Sequence, residues 1–158
     1  MKPPSRMTTG VDGVASLAMS QVDAVVRRNG SGYTPTGVAP RPWKVDFVRW
    51  CYLESTGFDI YAALGDAVFW APLLSLAGVE AGWEVTEREA GDIIIVRLAK
   101  GAPVNVGICT GPTSMVEGDT SPTSAGPQSG GGMVCLTAQP LSPHKCVILR
   151  PPVQRGVG

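Results

Sequence analysis

The sequence predicts an α+β domain in which N-terminal helices pack on a mostly antiparallel sheet of about five to six strands. Residues 11–78 carry apolar side chains at spacings of three and four, which is the periodicity of amphipathic or buried helices. After Gly82 the chain changes to short β-branched apolar runs separated by glycine and proline. Helices that precede the strands, instead of alternating with them, are typical of the α+β class.

Length and composition indicate one globular core. The chain has 158 residues, of which 44% are hydrophobic and 16% are charged. A chain of this length buries about two-thirds of the surface that its unfolded form exposes, which suits a single domain. We expect that domain to cover residues 11–151, with a polar N-terminal arm at residues 1–10 and a C-terminal tail at residues 152–158.

Four helices are predicted in the N-terminal half. The first covers residues 11–28, where apolar side chains recur at helical spacing and two arginines suit the last turn. The second covers residues 43–57 and is apolar on most faces, so we expect it to be the central, buried helix. Two shorter helices are predicted at residues 60–64 and 68–77, the latter ending at Gly78.

Five strands are predicted from β-branched apolar runs in the second half of the chain. Proline-rich residues 30–42 and the glycine- and serine-rich residues 121–132 are expected to be loops. The predicted strands are residues 93–98, 104–110, 114–117, 133–137 and 146–149.

Charge and hydropathy argue against two classes of partner. Thirteen lysines and arginines balance thirteen aspartates and glutamates, so no basic field favours nucleic acid. No apolar run reaches the roughly 18 residues that a membrane span requires. The first ten residues lack the apolar middle region of a secretory signal, and we expect no export by that route.

Neither a metal site nor a cofactor site is expected. The only histidine, His144, has no ligand-spaced cysteine pair around it, and it is interpreted as an exposed loop residue. The cysteines have neither Cys-x-x-Cys spacing nor the density of a disulfide scaffold, so they are interpreted as buried thiols. They are Cys51, Cys109, Cys135 and Cys146.

Four short segments occur in an order that is hard to explain by separate causes. They are residues 42–51 (PWKVDFVRWC), 91–93 (GDI), 104–108 (VNVGI) and 116–121 (VEGDTS). Together they resemble the CHAP family of cysteine- and histidine-dependent amidohydrolases and peptidases, which are relatives of the NlpC-type hydrolases. Members of this family are cell-wall enzymes of bacteriophages and actinobacteria. The resemblance extends over residues 11–151 and implies a papain-like fold.

The resemblance also assigns the positions at which active members carry their chemistry. The nucleophilic cysteine follows a tryptophan at the start of the central helix, and the matching position here is Lys44, next to Trp43. The general base is the histidine of a His-Val-Gly-Ile strand motif, and the matching position is Asn105. Orienting polar residues lie in a Glu-Gly-Asn-Thr motif, in which Glu117 is kept and the asparagine is replaced by Asp119.

These replacements imply a pseudoenzyme. The family's reaction needs a thiolate activated at a helix N-terminus, and Lys44 carries none. A desolvated lysine amine attacks carbonyl groups, but with an acyl group it forms a stable amide and does not turn over. Asn105 cannot accept and return a proton, which removes a contribution of about 10²- to 10⁴-fold in rate. The relic site positions are Lys44, Asn105, Glu117 and Asp119, and no catalytic residue is predicted.

Lys44 and Trp43 leave alternatives open. A lysine at a helix N-terminus is unfavourable unless Glu117, Asp119 or a ligand anion compensates its charge, and we favour an ion pair that fills the old cleft over anion binding. The tryptophans at positions 43, 50, 70 and 83 are interpreted as core or cleft-wall side chains. Trp43 beside the relic cleft is the one that we consider for ligand contact.

Cys51 is the obvious candidate for a replacement nucleophile, since it lies seven residues after Lys44. That spacing is about two helical turns, so both residues share a face but lie roughly 10 Å apart along the axis. The surrounding segment is apolar, where a thiol is inert. We therefore interpret Cys51 as a core residue.

The sequence and the resemblance lead to a non-catalytic structural or interaction protein, a tail or capsid accessory component of a bacteriophage virion, made in the bacterial cytoplasm. Its expected partners are other virion proteins or further copies of itself. One alternative is a peptidoglycan-binding module that uses Trp43, Lys44, Glu117 and Asp119. The other is a cysteine endopeptidase or amidase in cell-wall degradation that uses unfamiliar residues.

Overall fold

The structure, a computed structural model, describes residues 11–25, 32–97, 103–120, 132–138 and 146–153. Within these ranges the chain forms four α-helices, one 3₁₀ helix and a six-stranded antiparallel sheet, which confirms the predicted α+β class and the strand number. Several predicted features lie wholly or largely outside the described residues: the arm at residues 1–10, the loop at residues 121–132, His144 and the tail at residues 152–158.

The elements follow the predicted order of helices first and strands second. The helices are α1 Val11–Ser20, α2 Lys44–Thr56, α3 Ile60–Leu64, the 3₁₀ helix Asp66–Phe69 and α4 Ala71–Glu80. The strands are β1 Glu84–Val85, β2 Ile93–Arg97, β3 Pro103–Gly111, β4 Ser114–Thr120, β5 Met133–Ala138 and β6 Cys146–Leu149. Their order across the sheet is β1-β6-β2-β3-β4-β5, and every neighbouring pair is antiparallel.

Helix α2 is the central helix, as its apolar composition predicts. It packs against α1, α3, α4 and strands β3 and β4. Phe47, Val48, Cys51 and Tyr52 on this helix are fully buried. The helix ends where predicted, at Gly57, whose left-handed φ of 78° lets its N–H donate to the Leu53 carbonyl.

Helix α1 is shorter than predicted, since it ends at Ser20 and not at residue 28. The chain turns at Asp23, which has a positive φ of 76°. The Asp23 N–H then donates to the Val134 carbonyl, and the Val134 N–H donates to the Ala24 carbonyl. The edge of strand β5 therefore supplies backbone partners that compete with helix continuation, and the local apolar spacing does not reveal them.

Residues 66–80 form two helices where one was predicted. The 3₁₀ helix ends at Phe69 and is followed by Trp70, whose backbone is extended. Helix α4 then starts at Ala71 with Pro72 in its first turn. Proline lacks an N–H, so it fits a first turn and disfavours a helix that runs through from residue 68. Trp70 is 58% exposed, so its interpretation as a core or cleft-wall side chain is wrong.

Gly78 lies inside α4 and does not end it as predicted. A Cβ atom at this position would lie 2.4 Å from Leu149 Cδ1 of strand β6. The glycine is thus a contact position that lets the helix approach the sheet, and Gly82, with φ of +83°, lies beyond the helix end.

Asp92 of the GDI segment, just before strand β2, binds Arg150, which directly follows strand β6. Its carboxylate accepts bonds of 2.8 Å from both Nε and Nη2 of Arg150, and a bond of 2.7 Å from the Glu89 N–H. The carboxylate is fully buried, and a bidentate guanidinium is the strongest partner available for it. The short strand β1, which the sequence did not predict, pairs with β6 beside this point.

We expect Gly78→Ala to destabilise the fold. The added methyl group overlaps Leu149, and overpacking of this kind costs about 1–3 kcal/mol, against a gain of about 1 kcal/mol in helix propensity. Urea unfolding measures the difference. The double variant with Leu149→Val should lose less than the sum of the two single losses, and a Gly78→Ala variant more stable than the parent chain contradicts the close contact.

Candidate functional site

The relic positions lie at the start of α2 and in strands β3 and β4. Lys44 is the first residue of α2, Asn105 lies in β3, and Glu117 and Asp119 lie in β4. All four side chains are largely withdrawn from solvent, with residue exposures of 6%, 7%, 1% and 3% in that order. We call this group the relic cluster.

Asp119 joins three elements through its carboxylate. Its Oδ2 accepts a 3.0 Å bond from the Trp43 N–H at the start of α2, and its Oδ1 accepts a 3.1 Å bond from the Gly132 N–H just before β5. Asp119 has a positive φ of 55°, and the pairing of β4 with β5 shifts register between Glu117 and Thr120. Aspartate tolerates this backbone region better than most residues, so the bulge and the two hydrogen bonds form one local unit.

Glu117 lies two residues before Asp119 in the same strand. Its Oε2 accepts a 2.6 Å bond from the Thr137 hydroxyl of strand β5, and it lies opposite Cys135 in the ladder. Gly107 of β3 also faces it, because a Cβ atom there would lie 3.1 Å from Glu117 Cγ. Side chains two residues apart in a strand point to the same face, so Asn105 shares this face with Glu117.

Lys44 and Glu117 influence one another electrostatically. Burial lowers the pKa of Lys44, and the negative charges of Glu117 and Asp119 oppose that shift. Burial also raises the pKa of Glu117, which the Thr137 hydrogen bond and the Lys44 charge oppose. The charges of these two carboxyl groups therefore favour the protonated amine at this helix N-terminus, and the ion pair that fills the cleft stays a prediction.

Three buried oxygens of this region have no hydrogen-bond partner among the residues that the structure describes. They are Asn105 Oδ1, Glu117 Oε1 and Thr120 Oγ1. An unmatched buried oxygen costs roughly 1–3 kcal/mol, so these three atoms require a partner such as an ordered water or a ligand. The family motifs could point to Asn105, Glu117 and Thr120, whereas Thr137 becomes visible only once the strands are paired.

Trp43 is packed and does not form an exposed platform. It is 3% exposed, and its ring stacks on Tyr33 with centroids 5.3 Å apart. Gly118 lies directly against it, since a Cβ atom there would lie 2.9 Å from Trp43 Cζ3 and 2.7 Å from Phe47 Cβ. The interpretation of Trp43 as a core or cleft-wall side chain is confirmed, as it is for the buried Trp83.

The cysteines follow the predicted burial with one exception. Cys51, Cys109 and Cys135 are buried, while Cys146 is only partly buried. Desolvation raises the pKa of the Cys51 thiol far above its ordinary value, so the nucleophilic thiolate is strongly disfavoured there. Cys51 is thus a core residue, as the sequence indicated.

A second polar site, on a different part of α2, was missed at the level of sequence. Asp46 is fully buried and accepts hydrogen bonds from Thr34, from Arg41 through Nε and Nη2, and from the Tyr61 hydroxyl. The donors come from two separate parts of the chain, the loop before α2 and helix α3, and no sequence motif joins them.

A cavity of about 470 Å³ lies beside this site. Arg49 also lines it and pairs with Asp59 through two bonds of 3.0 Å. Both guanidinium groups face an aromatic ring, since Arg41 lies 4.1 Å from the Phe69 centroid and Arg49 lies 5.2 Å from that of Tyr61. The cavity is lined by Pro35, Thr36, Val38, Arg41, Arg49, Asp59, Tyr61, Ala62 and Asp66.

Comparisons with known proteins do not assign this chain to a family: no protein-family model matches it, and no curated protein matches it. Among the described residues, no group of three or more histidine, cysteine, aspartate or glutamate side chains is placed to hold a metal ion. None of the described helices is both long enough and apolar enough to cross a membrane.

We expect Asp119→Ala to lose about 2–4 kcal/mol of stability, because two hydrogen bonds to a charged acceptor disappear and two backbone N–H groups lose their partner. Asp119→Asn should lose less, since asparagine tolerates a positive φ and keeps one acceptor oxygen. Denaturant unfolding of both variants tests this. An alanine variant as stable as the parent chain excludes the proposed role of the carboxylate.

Glu117→Gln should gain stability relative to the parent chain as pH rises. The folded pKa of Glu117 is raised above its unfolded value of 4.5, so its contribution is fully present below that value and is lost as pH rises through the folded pKa. Glutamine mimics the neutral acid and escapes this loss. Unfolding at a series of pH values measures it, with Glu54→Gln on the exposed side of α2 as the control. If the stability difference between Glu117→Gln and the parent chain does not change with pH, the pKa of Glu117 is not raised by folding.

Proposed function

We propose that this chain is a catalytically inactive relative of the CHAP-type, papain-like cell-wall hydrolases, and that it serves as a structural or interaction protein of a bacteriophage particle. The observation that carries the proposal is the identity of the residues at the start of α2 and in β3. At the positions where the family motifs carry the cysteine nucleophile and the histidine base, this chain has Lys44 and Asn105, both buried.

The neighbourhood of these residues supports an inactive site. Both carboxylate oxygens of Asp119 accept hydrogen bonds from backbone N–H groups, so this side chain stabilises the fold. Cys51, the only cysteine of α2, is fully buried and its raised pKa disfavours the thiolate. Loss of the nucleophile and the base together leaves no acyl-transfer route of the family's kind.

The burial of the relic cluster directs attention to the outer surface. Its four side chains expose 7% or less, which leaves little area for a peptide or a sugar to touch. In contrast, Trp70, Leu76 and Val79 in and just before α4 are 58%, 57% and 39% exposed. Large apolar side chains that stay in water are common at protein–protein contacts. They suit a chain that binds other virion proteins or further copies of itself.

A cell-wall zymogram and a proteome of purified particles test the two halves of the proposal. The purified chain should produce no clearing of peptidoglycan, and mass spectrometry should find the chain in the particles. Clearing by the unmodified chain contradicts the inactive site. Absence from particles of the phage that encodes it contradicts the structural role.

Two matched variants separate the remaining alternatives. The double variant Lys44→Cys with Asn105→His should regain a trace of lysis if these positions correspond to the family's nucleophile and base. Binding to purified sacculi that Lys44→Glu abolishes would instead favour a peptidoglycan-binding module that uses the relic cluster. Equal binding by the parent chain and Lys44→Glu excludes the cluster as the contact.

A further inference from the structure

The cavity of about 470 Å³ beside Asp46 lies apart from the relic cluster and has a wall of charged side chains. Its volume falls within the range of about 300–1,000 Å³ that is usual for small-molecule sites. The wall is assembled from the loop before α2, from α2 itself, from α3 and from the start of the 3₁₀ helix. Because Lys44 and Asp46 project towards nearly opposite sides of α2, the cavity and the relic cluster are different sites.

We propose that this cavity binds a small zwitterion of the free amino acid type. Its carboxylate accepts hydrogen bonds from Arg41 and Arg49, and its ammonium group pairs with Asp66. This inference goes beyond the function proposed above and does not depend on it.

Two arginine side chains of the wall are fixed by bidentate ion pairs. Arg41 donates from Nε and Nη2 to Asp46 at 3.1 and 2.7 Å. Arg49 donates from the same two atoms to Asp59, at 3.0 Å in both bonds. Each pair leaves Nη1, with its two N–H donors, on the opposite edge of the guanidinium group. The side chains are only 14% and 17% exposed, and shielding from water strengthens a hydrogen bond to a charged acceptor.

Tyr61 holds both guanidinium groups around one aromatic ring. The Cζ atoms of Arg41 and Arg49 lie 5.9 and 5.2 Å from the centroid of this ring. The Tyr61 backbone N–H donates to Asp59 at 2.9 Å, and its hydroxyl donates to Asp46. The carboxylates that orient both arginines are thus bound to the same residue. This arrangement sets the donors in place before a ligand arrives, which lowers the cost of binding.

The charges of the site favour a ligand that carries both signs. Both guanidinium groups are already paired with carboxylates, so a purely anionic ligand meets that negative charge behind them. Asp66 adds a further carboxylate to the wall, is exposed, and forms no hydrogen bond or ion pair within the described part of the chain. A purely cationic ligand offers no acceptor to the Nη1 groups. A zwitterion provides a partner for the guanidinium donors and for Asp66.

The rest of the wall suits the short apolar body of an amino acid. Pro35, Val38 and Ala62 contribute apolar surface to the cavity. Small-molecule sites combine such surface with a few polar groups that fix the orientation of the ligand. Here the two charged ends of the ligand set its orientation, and the apolar surface selects among side chains.

Thermal unfolding of the full chain with each of the common free amino acids at millimolar concentration tests the proposal. At least one amino acid should raise Tm, because a ligand that binds only the folded state stabilises it. Calorimetric titration then compares this amino acid with its N-acetyl and its amide derivative, which lack the ammonium or the carboxylate. Each derivative should bind about tenfold more weakly or worse, the loss expected for one charge-assisted hydrogen bond. The proposal is wrong if no amino acid raises Tm, or if either derivative binds as tightly as the parent amino acid.

Two variants place the ligand in the cavity. Asp66→Asn and Arg49→Lys should each weaken binding about tenfold or more, since asparagine lacks the charge and lysine lacks the planar edge that carries Nη1. The matched control Glu54→Gln, on the exposed side of α2, should bind like the parent chain. Urea unfolding shows whether Arg49→Lys, which alters the pair with Asp59, still folds, and Asp66→Asn decides the question if it does not. Binding that Asp66→Asn leaves unchanged overturns the proposal.

Discussion

The position of the central helix depends on one carboxylate. Asp119 binds the Trp43 N–H at the start of α2 and the Gly132 N–H before β5, so strands β4 and β5 and helix α2 meet at a single side chain. The left-handed backbone of Asp119 and the bulge in β4 aim the carboxylate at both donors. Next to it, Gly118 brings the strand into contact with Phe47 and Trp43, where no side chain would fit. The helix start, the strand bulge and the aromatic contact are therefore consequences of one arrangement.

The sequence predicted those elements whose signals are local. Helix α3 and strand β6 have the predicted bounds, and α2 ends at Gly57 as expected because glycine at a helix end is a local cue. The misses have non-local causes. Helix α1 stops early because the edge of β5 offers backbone partners, and strand β1 exists only because β6 lies beside it. The spacing of apolar residues along the chain indicates neither the contact of α1 with β5 nor the pairing of β1 with β6.

The family motifs pointed to Lys44, Asn105, Glu117 and Asp119, which lie at the start of α2, in β3 and in β4. Their role as a site stays a prediction. Their burial, the hydrogen bond from Thr137 and the unmatched oxygens required the paired strands. The buried Asp46 site was missed altogether, since its donors come from the loop before α2 and from helix α3 and match no motif.

The two buried polar sites on α2 have a joint consequence for how the helix is seated. Lys44 and Asp46 lie two residues apart, so they project roughly 200° apart around the helix axis, towards nearly opposite sides. Lys44 interacts with carboxyl groups of the sheet, and Asp46 binds Arg41 and Tyr61 outside it. A purely apolar helix can rotate or slide by one residue at modest cost. Helix α2 cannot do so, because a rotation or a shift by one residue would separate both Lys44 and Asp46 from their partners at once. The two residues therefore fix the rotation of α2 about its axis.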